Sequence, residues 1–179
     1  MTHADAHGDA SVVAALFAHN TWANLKLLDF CAQVSDAQLD ATAIGGYGSI
    51  RATLSHIIRA EVSYVERVSG TRPPRPLAGE QPPSFALLQE VARWAGDELL
   101  QLALSARKDT IVREREQGQV CEYPLASLIV QEVTHATEHR TQIATIITQL
   151  GMEPPDLSTW QYMVETGEFR EFAEGEGDA

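Results

Sequence analysis

Basic side chains are scarce in this chain: 13 Lys and Arg stand against 25 Asp and Glu over 179 residues, a formal net charge of −12. Such a surface repels a phosphate backbone, and no nucleic-acid partner is expected, because that affinity comes from clustered Lys and Arg. Cysteine is scarcer still. Cys31 and Cys121 are too few for a disulfide framework and form no C-x-x-C pair. Cys31 reads as a small buried hydrophobe on the first helix, and Cys121 as a loop thiol. No run of about 18 apolar residues occurs, so no membrane span is expected. The opening MTHADAHGDA lacks the charged-then-apolar pattern of a signal peptide, which points to a cytoplasmic protein. Five of the eight prolines fall in TRPPRPLAGEQPP, residues 71–83, which cannot be helical through its length.

What remains is long and helical in its periodicity. Residues 1–10 are polar and small and read as a disordered end. A first helix is predicted from the cap Ser11 to Val34, with a stripe of Val12, Val13, Leu16, Ala23, Leu27, Phe30, Cys31 and Val34. Asn20 interrupts that stripe and His19 lies at its edge, where a satisfied polar group is the plainer reading than a metal ligand. After the glycine turn GGYG (45–48), Ser49 caps a second helix to about Ser69. Its aliphatic arc is Leu54, Ile57, Ile58, Val62, Val65 and Val68. Ser84 starts a third helix to about Arg107. Residues 110–123 suggest a short hairpin turning near Gln117-Gly118-Gln119. A fourth helix begins near Pro124 and stops at Gly151, ahead of Pro154-Pro155. Trp160 and Tyr162 are expected to fold back over one end, and the acids from Glu165 onward to form a solvated tail, residues 166–179 lying outside the domain. At this length the chain fits one domain, residues 11–165, and four amphipathic segments predict an all-α antiparallel four-helix bundle.

The chemistry concentrates in VTHATEHRTQIATIITQL, residues 133–150. His135 and His139, four apart on a helix, stand on one face, where two imidazoles can share one metal ion. HATEH also fits H-x-x-E-H, the inverted zinc-peptidase signature. Glu138, however, lies about 100° around the helix from His139, turned from the stripe. Glu132-x-x-His135 is the di-iron spacing, but a di-metal bundle needs two such motifs and one occurs. Glu132 is left as an acceptor that orients the His135 ring. His56 falls off the arc of the second helix beside Ala60 and near Tyr64. Spacing alone favours a surface residue there over one that faces a pocket.

Taken together, LFAHNTWANLKLLDFCAQVSDAQL (16–39, with W-A-N at Trp22, Ala23, Asn24), SIRATLSHIIRAEVSYVERVSG (49–70), THATEHRTQIATIITQLG (134–151, with H-x-x-x-H-R-x-Q) and PPDLSTWQY (154–162) resemble, in order, the DinB/YfiT-like family of four-helix-bundle metal proteins related to thiol transferases. Thr141 stands where many members carry glycine. The resemblance implies one divalent metal held by His56, His135 and His139, with zinc or nickel as the ions that suit imidazole. It further implies a metal-dependent transferase that brings a low-molecular-weight thiol to a small electrophile, with Asn20, Tyr64, Arg140 or Gln142 as candidate positioning or catalytic residues. A metal-dependent hydrolase is the alternative enzyme, and a non-catalytic metal-binding stress or scaffold protein the alternative class. With His56 turned to a site, the aliphatic arc of the second helix is left over, which predicts a homodimer.

Overall fold

The computed structural model describes residues 3–78, 82–107, 109–116 and 118–171, with side chains from residue 12 onward except residue 116. Four long helices make the body: α1 (His3–Cys31), α3 (Ile50–Ser69), α4 (Phe85–Ser105) and α5 (Leu125–Gln149). A one-turn α2 (Asp36–Leu39) follows α1, strands β1 (Ile111–Glu116) and β2 (Gln119–Pro124) lie between α4 and α5, and α6 (Thr159–Thr166) closes the order. The architecture is an all-α helical bundle with one small antiparallel hairpin, paired from Ile111↔Pro124 to Glu116↔Gln119. Gly118 in its turn has φ +82°, a conformation costly for side-chain-bearing residues. No helix among the described residues is long and apolar enough to cross a membrane.

Three of the four long helices begin and end where their local chemistry directs. Ser49 Oγ accepts from the Ala52 N–H at 3.2 Å to open α3, and Gly70 at φ +72° closes it. Ser84 Oγ accepts from the Leu87 N–H at 3.3 Å to open α4. Pro124 precedes α5, and Gly151, at φ +76°, follows it.

The first helix departs from expectation. Its backbone is helical from His3, ahead of Ser11. Of the end expected to be disordered, residues 3–10 are helical in backbone and residues 1–2 lie outside the described residues. The helix stops at Cys31 rather than Val34, where the Gln33 and Val34 N–H groups turn back to the carbonyls of Phe30 and Cys31, each at 3.1 Å. Its buried side runs through Phe17, Asn20, Asn24, Leu27, Leu28 and Cys31, while Val12 and Leu16 are exposed. A stripe traced by hydrophobicity skips the two asparagines and so drifts off this face.

Two apolar clusters fill the interior. The larger joins Leu27, Leu28, Leu54, Ile57, Ile58, Leu88, Val91, Ile143, Ile146 and Ile147. The smaller gathers Phe17, Val65, Leu99 and Ala103. Between them α1, α3 and α5 contribute the buried polar side chains Asn20, Asn24, Glu61, Glu132 and Arg140. Gly96 lets α4 approach α1 closely, since a Cβ there would collide with the Thr21 side chain. The aliphatic arc of α3 is not left over: Leu54, Ile57, Ile58 and Val65 are buried within this same chain. Val62 and Val68 are half-buried, so most of the arc invoked for a homodimer is used by packing of α3 against α4 and α5.

The chain after α5 returns along α1. Tyr162 packs edge-on against His19 and Trp22, at 5.7 and 5.4 Å between ring centroids. Trp160 is not an anchor; it is 68 % exposed. Nor is Glu165 the start of a free tail, because it accepts from Lys26 Nζ at 2.6 Å and from Trp22 Nε1 at 3.0 Å. Those bonds hold its carboxyl well below the ordinary range, at about 2. Of the expected acidic tail, residues 172–179 lie outside the described residues.

Candidate metal centre

α3 and α5 bring three imidazoles to one point. His56 lies on α3 and meets His135 and His139 of α5, and one ring nitrogen from each lies within 4.8 Å of the other two. The His56 and His135 Nε2 atoms are 3.0 Å apart. His56 is therefore no surface residue in the sense its spacing suggested. α3 is buried on two sides, and a single-face helical wheel cannot represent that. Glu61, five residues after His56, stands beside Glu132, seven residues before His139, so these two helices run antiparallel.

The protonation of each ring follows from its neighbours. His139 Nδ1 is 2.9 Å from Gln142 Oε1, and the same oxygen accepts the Tyr47 N–H at 3.2 Å. An amide oxygen only accepts, so Nδ1 donates to it, which in the neutral ring leaves the lone pair on Nε2. Burial, then repulsion from His139 and His56, lowers the His135 pKa to about 4. Burial, then His139, lowers that of His56. Both rings are neutral near pH 7, the form that ligates a metal.

Two nitrogens each about 2.0–2.1 Å from a common ion in tetrahedral geometry would be about 3.3 Å apart. The 3.0 Å between His56 and His135 lies close to that. Three lone-pair donors of one type, with Gln142 orienting one of them from behind, fit a divalent ion that accepts imidazole.

Tyr47, from the GGYG turn, closes the site. Its ring stacks on His56 at 4.0 Å and 20° and meets His139 edge-on at 5.1 Å. Tyr64 stands edge-on to His135 at 6.3 Å, and burial raises its phenol pKa, so it keeps its proton. Beside His56 opens a cavity of about 420 Å³ that Tyr47, Ser49, Ser55, Arg51 and Arg59 also line.

The candidate residues thus divide. Tyr64 and Gln142 stand at the cluster, whereas Asn20 and Arg140 are 2 % and 4 % exposed and belong to the polar layer. Asn20 Nδ2 donates to Glu61 and Glu132 at 3.0 and 2.9 Å, and Asn24 Nδ2 donates to Glu61 at 2.6 Å. Arg140 Nη1 donates to the Asn20 and Asn24 Oδ1 atoms, both at 2.7 Å. Both protons of Arg140 Nη1 and of Asn20 Nδ2 are engaged within this layer, and Arg140 Nη2 donates to Thr137 Oγ1 at 3.0 Å.

Glu132 points into this layer and does not orient His135. One of its oxygens, Oε2, is buried without a partner. Burial, then the Glu61 carboxylate, raises its pKa well above the ordinary range, and burial raises that of Glu61. Glu61 accepts two amide N–H bonds and Glu132 one. We assign the proton to Glu132 and the charge to Glu61, which Arg140 balances.

His19 is not a ligand, since its Nε2 bonds the Leu157 carbonyl at 2.9 Å. Glu138 of the peptidase-like motif is exposed. Cys31 is fully buried, which pushes its thiol to about 12, and Cys121 lies on β2.

Sequence reading missed Tyr47, Asn24 and Glu61. An aromatic ring inside a glycine turn just ahead of the histidine-bearing helix was the available signal for Tyr47. Charged or amide residues at core-facing positions were the signal for the other two. Among known proteins, the model of the DinB family matches residues 5–171. No curated protein gives a significant match.

Proposed function

The chain belongs to the DinB family, and from that membership together with the histidine cluster we propose that it binds one divalent metal ion, zinc or nickel, through His56, His135 and His139. We further read it as a thiol-dependent transferase acting on small electrophiles. The observation that carries the reading is the convergence of three imidazoles within 4.8 Å beside a substrate-sized cavity. An ion held by three neutral ligands supplies Lewis acidity, enough to hold a thiol as thiolate or to bring the pKa of a water to about 7.

The chain's own groups do the rest. Gln142 fixes the His139 tautomer through Nδ1. Tyr47 covers His56 and keeps solvent from that edge of the site. Tyr64 packs its ring edge-on against His135 and keeps its phenol proton, which makes it a candidate hydrogen-bond donor. The cavity beside His56 favours small-molecule chemistry over a purely structural ion.

Elemental analysis of protein purified without a metal-binding tag tests the site. Near-stoichiometric metal is expected in the wild type and background metal in His135→Ala. Equal, negligible metal in both would overturn the reading. Turnover of a reporter electrophile across a thiol panel tests the reaction, and consumption without any thiol would favour the hydrolase instead.

A further inference from the structure

Two arginines line the cavity beside His56, Arg51 and Arg59, and they are held differently. Arg51 meets a carboxylate twice, at 2.5 Å to Asp36 and 3.2 Å to Asp40. Arg59 is half-buried and has no carboxylate partner among the described residues. Its Nε donates to Ser55 Oγ at 3.1 Å and its Nη2 to the Leu77 carbonyl at 2.9 Å. Two neutral acceptors fix the guanidinium plane and leave Nη1 without a partner among the described residues. No described acidic residue lines the cavity that Arg59 shares with His56.

We propose that Arg59 is a specificity residue that receives a carboxylate carried by the small molecule bound at the histidine cluster. A preoriented guanidinium matches the planar geometry of a carboxylate, and it meets that charge where no described carboxylate competes. His56 and Arg59 are one helical turn apart on α3 and line the same cavity, so one small molecule can reach both. The inference rests on the proposed thiol chemistry for the position of the sulfur.

Calorimetric titration of zinc-loaded protein with mercaptopropionate, mercaptopropanol and propionate tests both. Wild type should bind the thiol acid about tenfold more tightly than the thiol alcohol, the scale of one charge-assisted contact. Arg59→Gln should abolish that ratio without changing the alcohol, and Arg59→Lys should restore part of it. Equal affinity of acid and alcohol for the wild type, or an undiminished ratio in Arg59→Gln, overturns the assignment. If propionate binds in an Arg59-dependent way and neither thiol gains over it, the carboxylate site stands and the thiol reading falls.

Discussion

Two polar clusters share α3 and α5 and are built on opposite terms. In the layer of Asn20, Asn24, Glu61, Glu132 and Arg140, amide and guanidinium protons meet acceptors inside the protein, and all five residues are buried. In the cluster of His56, His135 and His139, the nitrogens converge on one another beside an open cavity, and only Nδ1 of His139 has an amide partner. Buried polar groups that engage each other specify helix register, because shifting one helix breaks several bonds at once. Ring nitrogens that face each other at hydrogen-bond distance can give up a shared proton in exchange for a cation. The closed layer therefore reads as the frame, and the half-open one as the site.

Arg140 is where the contrast should break most sharply. Arg140→Met leaves Glu61 charged and uncompensated in the interior, with an expected loss of about 3–5 kcal/mol in urea unfolding. A loss below about 1 kcal/mol would mean that the layer is not charge-coupled. His56→Ala, by contrast, should abolish metal binding while leaving metal-free stability within about 1 kcal/mol of the wild type, measured by the same unfolding.

Gln142→Ala should weaken metal affinity about 10–100-fold by releasing the His139 ring, as competition with a chelating dye would read. Unchanged affinity would show that the ring is held by packing alone.

Glu132 gives the smallest effect and the sharpest sign. Its pKa is raised well above 4.5 by burial and by Glu61, so the folded protein keeps a proton that the unfolded chain releases. The stability from this group is complete below about pH 4.5 and is lost as pH rises through the raised value. Glu132→Gln, neutral at every pH, should flatten that decline in unfolding measured across the acid-to-neutral range. A slope unchanged from wild type would place the proton elsewhere.

The four long helices, most of their ends, the hairpin and the His135–His139 pair were legible in the sequence, because caps, glycines, prolines and four-residue spacing act locally and need no partner to be read, whereas the short α2 and α6 were not. The resemblance supplied His56, whose position on a single-face wheel pointed to solvent. What only the tertiary structure decided was which faces are buried twice. It placed Asn20, Arg140 and Glu132 in a closed layer and buried Leu54, Ile57, Ile58 and Val65 of the α3 arc inside one chain. It also brought Tyr47 over the histidines and left Arg59 facing the cavity without a described carboxylate. The physical reason is that satisfaction of a polar group depends on neighbours far apart in sequence, Asn20 and Glu132 being 112 residues apart, and periodicity along one helix carries no record of them.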